Sequence, residues 1–329
     1  MEQRSKSALQ WSGSDLPLFE RAQTVPASIS VLQQGAQKPN DNPYTIVIVA
    51  SPYIESPVDS GNFVPDPIVQ SEDPFDQCAQ YVIDSVFGHL PGQAETFMQQ
   101  FAQDIRVISI FDAQLAASDA TCLVADYDPT DVVGPRQAQF APLLASYALN
   151  GRPIQADVAF AITASPDHTR ASAWYTLDDD NSAGVDFLLD GTPRTHRFRN
   201  IHPGVVALPA SATSLVAMHE FGHAASSWTN GSVSDLYVDS PAALNVKKGR
   251  PIPQQFGVLD SAALAADQAR DHLGYPAGWN SYHCNLVDPA FPAVMDNFWM
   301  ASTQPEDCKH DAITLKFLSD RIRAIMSRP

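Results

Sequence analysis

The residues best suited to chemistry lie in residues 216–225, which contain the pattern H-E-x-x-H as His219, Glu220 and His223. Two histidines four positions apart lie one above the other on a helix, about 6 Å apart at Cβ. That spacing lets two neutral imidazoles bind one Zn²⁺. Glu220 would project toward the same ion and take a proton from a metal-bound water whose pKa the ion lowers to about 7. The pattern therefore predicts metal-assisted hydrolysis.

The surroundings of the pattern favour a helix. Leu215, Val216 and Met218 form an apolar side, and Ser211 and Thr213 are candidate N-caps. In a chain of 329 residues with nine histidines, chance placement of H-E-x-x-H has a probability of about 0.5%. The alternative interpretation is an ordinary buried helix with two hydrogen-bonded histidines.

A catalytic zinc site usually has three protein ligands and one open position. The extended pattern H-E-x-x-H-x-x-G-x-x-H is absent, because Ser226 stands in place of the glycine and Thr229 in place of the third histidine. A glutamate from a following helix is also disfavoured, since Glu306 is the only glutamate after Glu220. The third ligand is therefore expected to be an aspartate or a distant histidine.

Three residues remain as candidates for that third ligand. Asp235 and Asp239 follow the turn-forming pair Asn230-Gly231, which could return the chain toward the metal, and His283 lies further along. Tyr237 and His283 are candidates for stabilising an oxyanion. The residues alone leave these alternatives open.

At this point the sequence resembles a known group of enzymes. The H-E-F-G-H motif, then Asp235-Leu236-Tyr237, the segment Ala293-Val294-Met295 and finally Cys308 are similar to the metzincin clan of zinc peptidases, above all to its IgA-peptidase-type family. The resemblance covers residues 205–325, with a fainter likeness at residues 45–112. It implies a zinc endopeptidase fold, Asp235 as the third ligand, and a Met-turn that places Met295 under the metal.

Without that resemblance, Met295 is interpreted as a core methionine. Its segment lies between prolines and aromatic residues, and Cys284 and Cys308 bracket it. The two cysteines could form a disulfide under oxidising conditions, or remain buried thiols under reducing ones.

Composition restricts the partners. The net charge of −17 argues against binding nucleic acid or an anionic membrane surface, because no basic stripe is available to phosphates. The expected partner is a peptide or protein substrate. The first 37 residues contain no apolar signal-peptide core, which predicts either a cytoplasmic protein or one whose leader was removed.

The order of predicted elements indicates an α/β (α+β) fold with parallel strand pairing. The resemblance implies that an N-terminal α/β portion precedes a metzincin-like zinc peptidase core. The expected parts are a polar lead-in (1–42), an N-terminal α/β part of the catalytic unit (43–200), and a part with the zinc helix, the Met-turn-like loop and a C-terminal helix (201–329). Predicted strands lie at residues 44–50, 106–111, 120–127, 158–163 and 204–209. Predicted helices lie at residues 77–90, 94–104, 137–149, 261–273 and 311–326.

These observations predict a zinc-dependent metallopeptidase, and the resemblance implies that it is a metalloendopeptidase. Strand 204–209 is expected to be an edge strand because it ends at Pro209, and residues 205–208 could pair with an extended peptide substrate. Two alternatives remain: a zinc hydrolase of a non-peptide amide, and a non-catalytic binding protein on a metallopeptidase fold. The intact Glu220 disfavours the latter, since a structural zinc site needs no base.

Overall fold

The computed structural model describes residues 27–35, 43–88, 97–127, 131–178, 184–189, 192–197, 200–212, 214–227, 232–233, 237–239, 282–283, 294–295 and 312–328. The predicted helix at residues 261–273 lies outside these residues, as do Asp235, Cys284 and Cys308.

The α-helices of the described residues are α1 (Glu72–Phe87), α2 (Gln137–Ala145), α3 (Ser214–Ala224) and α4 (Ala312–Met326). Two 3₁₀ helices span Pro67–Gln70 and Phe97–Phe101. None of these helices is both long and apolar enough to span a membrane.

The strands of the described residues are β1 (Ser28–Gln33), β2 (Tyr44–Ala50), β3 (Tyr53–Glu55), β4 (Phe63–Pro65), β5 (Ile105–Phe111), β6 (Val124–Asp126), β7 (Val133–Pro135), β8 (Ala148–Leu149), β9 (Arg152–Pro153), β10 (Val158–Thr163), β11 (Ser172–Trp174), β12 (Leu177–Asp178), β13 (Gly184–Leu189), β14 (Thr192–Arg197), β15 (Asn200–His202), β16 (Gly204–Pro209), β17 (Ser232–Val233), β18 (Tyr237–Asp239) and β19 (Tyr282–His283).

A six-stranded sheet in the order β1-β5-β2-β10-β16-β11 forms the centre of the fold. The four inner strands are parallel, and β1 and β11 are antiparallel at the two edges. Every residue of β2, β10 and β16 is buried, as the apolar runs predict for parallel strands covered on both faces. The predicted α/β class and parallel pairing are confirmed.

Alternate residues of the central strands enter two separate cores, because successive side chains of a strand point to opposite faces. Ile46 and Ile48 pack in the core that also contains residues of α1, α3 and α4. Val47 and Val49 pack on the other face, with α2 and the small sheet β4-β3-β6-β7. Helix α3 therefore packs on the same face of the sheet as α1 and α4.

Several predicted boundaries are wrong for identifiable reasons. Helix α1 starts at Glu72 and not at residue 77, and Glu72 and Asp73 give its first turn favourable negative charge. It stops at Gly88, which has the left-handed conformation (φ 72°). The described part of the predicted helix 94–104 holds only a 3₁₀ helix, and the predicted strand 120–127 reduces to β6.

The predicted helix 137–149 ends at Ala145. Asn150 and Gly151 form the turn between β8 and β9, with φ values of 52° and 76°. Positive φ at both central residues is what a tight hairpin turn requires. The Asn150-Gly151 pair therefore forms a β-hairpin turn.

The prediction that residues 204–209 form an edge strand is also wrong. Strand β16 has β10 on one side and β11 on the other. Strand β11 is only three residues long and shows no alternation that would mark it as a strand in the sequence. It occupies the edge that residues 205–208 were expected to offer to a peptide.

Candidate metal centre

Helix α3 carries the H-E-x-x-H pattern with its apolar side against the core. Leu215, Met218 and Phe221 are buried in the cluster shared with α1 and α4. His219 and Glu220 are also buried, with 6% and 8% of their surface exposed, and His223 is half-buried. Packing thus fixes the rotation of α3 and brings both histidines to one site.

The two imidazoles approach each other through their Nε2 atoms. The His219 and His223 Nε2 atoms are 3.0 Å apart. The ring planes are almost perpendicular, at 87°, and the ring centroids are 4.7 Å apart. The predicted helix spacing therefore yields converging nitrogen atoms.

The other ring nitrogens face backbone carbonyls. His219 Nδ1 lies 2.6 Å from the Val294 carbonyl oxygen, and His223 Nδ1 lies 2.8 Å from the Val233 carbonyl oxygen. Since a carbonyl oxygen only accepts hydrogen bonds, each Nδ1 carries a proton. In a neutral ring, Nε2 is then a bare lone pair.

Two lone pairs facing each other at 3.0 Å repel unless a positive species lies between them. Two nitrogens about 2.0–2.1 Å from a tetrahedral zinc ion are about 3.3 Å apart, close to the observed separation. Metal-bound histidines almost always donate their other N–H to a carboxylate, carbonyl or water. The donor set at His219 and His223 therefore fits a metal ion.

A direct hydrogen bond between the rings would need an additional proton and hence an imidazolium. If the two histidines only hydrogen-bond to each other in an ordinary buried helix, one of them must therefore be an imidazolium. It would place a positive charge beside His219, which is 6% exposed. Metal content distinguishes the two forms.

The C-terminal end of α3 is held from three directions. Thr176 donates its backbone N–H to the Ser226 carbonyl at 3.0 Å. Buried Arg321 of α4 donates Nε to the Ala225 carbonyl at 2.8 Å, where a positive charge favours the end of a helix. Gly204 lies so close that a Cβ there would be 1.8 Å from the Ala224 carbonyl oxygen. These contacts fix the turn that carries His223.

Tyr175 brings the edge of the main sheet to the same place. Its ring meets the His223 ring edge-on, with centroids 6.3 Å apart and planes at 73°. Tyr175 directly follows β11, and Gln137 of α2 donates Nε2 to its carbonyl at 2.6 Å. The edge strand therefore leads into the site.

The segments expected to supply the third ligand form a small sheet. Strand β18 pairs with β17 and β19, so Asp239 pairs with Ser232 and Tyr237 pairs with His283. The first strand of this sheet contains Val233, the hydrogen-bond partner of His223. The backbones of two ligand candidates, Asp239 and His283, and of the oxyanion candidate Tyr237 are thus joined to the His223 side of the site. Asp235 lies outside the described residues.

Within the described ranges, no group of three or more His, Cys, Asp or Glu side chains forms a metal cluster. Met295 is buried and directly follows Val294, whose carbonyl faces His219. The segment of the expected Met-turn therefore reaches the first histidine through its backbone.

Sequence reasoning missed the groups that orient the histidines. Val233 and Val294 act through carbonyl oxygens, which every residue has, so no pattern could indicate them. Tyr175 was also missed. Its position in the site depends on the pairing of β11 with β16, and a strand of only three residues gives no sequence pattern from which that pairing could be predicted.

No protein-family model matches the chain, and a search of curated proteins gives no match.

Proposed function

We propose that this chain is a zinc-dependent metallopeptidase with a metzincin-like core. His219 and His223 would bind Zn²⁺ together with a third ligand, for which Asp235 is the first candidate and Asp239 and His283 the next. The observation that carries the proposal is the orientation of the two histidines, with both Nδ1 atoms on carbonyls and the Nε2 atoms 3.0 Å apart.

The proximity of Met295 to this pair supports the metzincin-like assignment. The resemblance implies a methionine turn at the site, and the carbonyl preceding Met295 accepts from His219. Met295 belongs to the same core cluster as Met218 and Phe221 of α3. The turn and the helix are therefore packed as one unit.

A bound zinc ion would supply Lewis-acid polarisation of the scissile carbonyl and of the attacking water. The Glu220 carboxylate takes one proton from that water as its oxygen bonds to the carbonyl carbon. It then gives the proton to the amine nitrogen as the C–N bond breaks. Burial of Glu220 limits competition from bulk water for that proton.

An extended substrate fits beside β11. In the described part of the chain, β11 ends the sheet and has a strand partner, β16, on one side. Trp174 at its end is 39% exposed, and Tyr175 follows against His223. A peptide added to this edge would receive main-chain hydrogen bonds and run toward the two histidines.

The test is the Glu220→Gln variant, assayed on a quenched fluorescent peptide library with zinc content measured in parallel. We expect zinc to be retained and turnover to fall about 10²–10⁴-fold, the usual contribution of a general base. Glu72→Gln on α1 is the matched control and should keep full turnover. Full activity of Glu220→Gln would overturn the mechanism.

The same assay separates the alternatives. A zinc-loaded wild type that cleaves simple amides but no peptide would be a non-peptide amide hydrolase. A zinc-loaded wild type inactive on both would support a binding protein on a metallopeptidase fold.

A further inference from the structure

Ser226 lies two residues beyond the end of α3, at the position where the extended zinc motif has glycine. It is fully buried. Its Oγ donates to the His223 carbonyl oxygen at 2.7 Å and accepts from the Val233 N–H at 2.9 Å. A hydroxyl has one proton, which Ser226 donates to the His223 carbonyl, and the hydroxyl oxygen remains free to accept from the Val233 amide.

Together with the bond from the His223 imidazole, these hydrogen bonds form a closed loop. The Val233 carbonyl accepts from His223 Nδ1, while the Val233 N–H is tied through Ser226 to the backbone of the same histidine. Both polar backbone groups of Val233 are thus bound to the end of α3. The side chain of His223 is fixed relative to its own main chain.

Besides these bonds, Val233 is anchored by its side chain, which is fully buried in the core cluster that contains Met218 and Phe221. It is the second residue of the two-residue strand β17, which pairs only with the three-residue strand β18. The core packing fixes the side chain of Val233, and the hydrogen bond to the Ser226 hydroxyl helps to orient its backbone and so its carbonyl.

We infer that Ser226 is a positioning residue for His223. It places the Val233 carbonyl so that the proton stays on Nδ1 and Nε2 is presented to His219 and the metal. The expected effect of Ser226 on zinc binding rests on the proposed function. Its effect on the His223 tautomer does not, because the tautomer is a property of the metal-free protein. Partners that orient a metal ligand in this way typically change metal affinity about 10–100-fold when removed.

The test is Ser226→Ala, which removes the hydroxyl and keeps a small side chain. Ser146→Ala is the matched control, because Ser146 Oγ makes the same kind of bond at the end of α2, to the Leu143 carbonyl at 2.7 Å. Zinc affinity is measured by competition with a chromophoric chelator. The tautomer of His223 is measured by ¹⁵N NMR of the metal-free protein at a pH where the ring is neutral.

We expect Ser226→Ala to bind zinc about 10–100-fold more weakly and to lose the single Nδ1–H tautomer of His223. Ser146→Ala should match the wild type in both readouts. Wild-type affinity and an unchanged tautomer in Ser226→Ala would overturn the inference. If the wild type bound no zinc, the proposed function would fail, but the tautomer would still test the role of Ser226.

A measurement on the wild type covers the case in which Ser226→Ala does not fold. The Val233 amide should exchange slowly with solvent, because its N–H is buried against Ser226 Oγ. Rapid exchange of that amide in the folded protein would contradict the inference.

Discussion

His219 and Val294 are 75 positions apart in the chain, yet the imidazole Nδ1 of one lies 2.6 Å from the carbonyl oxygen of the other. This bond joins helix α3 to the segment that contains Met295. It also fixes which nitrogen of His219 carries the proton. A histidine in the motif thus depends on a backbone group supplied by a distant part of the chain.

The first prediction concerns Met295, whose packing holds the Val294 carbonyl in place. Met295→Ala removes a fully buried side chain and should lower the free energy of unfolding by about 2–5 kcal/mol. Zinc affinity should fall as well, because the carbonyl that orients His219 loses its support. Urea unfolding and chelator competition measure the two effects.

Met295→Leu is the control for that experiment. A volume-conserving substitution costs less than about 1.5 kcal/mol and should keep the zinc affinity. Loss of stability in Met295→Ala with unchanged affinity would contradict the link between this residue and His219.

The second prediction concerns Gly204, which allows β16 to approach the end of α3. In Gly204→Ala the new Cβ would collide with the Ala224 carbonyl, one residue after His223. The strain should lower the free energy of unfolding by about 1–3 kcal/mol and weaken zinc binding. Urea unfolding measures the change in stability, and chelator competition measures the change in zinc affinity.

Gly61→Ala separates collision from backbone strain. Gly61 has φ +70° and nothing within 4 Å of a Cβ, so alanine there costs about 1–2 kcal/mol of backbone strain alone. Its zinc affinity should equal that of the wild type. Equal affinities in both glycine variants would show that the contact at Ala224 does not position the site.

The third prediction concerns the pH dependence contributed by Asp66. Burial raises the pKa of Asp66, and hydrogen bonds from the Thr163 hydroxyl and from the Ile68 and Ala164 amides only partly offset this. Between pH 3.8 and the raised pKa, the folded protein binds more protons at this site than the unfolded chain does. The contribution of Asp66 to stability therefore rises as pH falls through that window.

Asp66→Asn isolates this contribution because it keeps the shape of the side chain and cannot titrate. The free energy of unfolding of the wild type minus that of Asp66→Asn should increase as pH is lowered from neutral. A difference that decreases instead would mean that the hydrogen bonds outweigh burial and that the pKa is depressed.

The sequence predicted the features that rest on strong local patterns. The apolar runs of β2, β10 and β16 identified strands, although β16 was wrongly expected at an edge, and the four-residue spacing in α3 identified converging histidines. A run of buried β-branched residues has few other structures available to it.

Features that depend on distant pairing escaped prediction. The three residues of β11 become a strand only because the open edge of β16 accepts them. The Val233 and Val294 carbonyls have no side-chain signature. The third zinc ligand stays a prediction, since Asp235 lies outside the described residues.

The central claim is that His219 and His223 hold zinc, and metal content by elemental mass spectrometry tests it most directly. The wild type should contain about one zinc per chain, and His223→Ala should contain none. Loss of zinc in Asp235→Ala would also identify the third ligand, whereas retention there would direct the search to Asp239 and His283. A wild type that holds no zinc, even after zinc is added back, would contradict the account and leave the two histidines as a hydrogen-bonded pair.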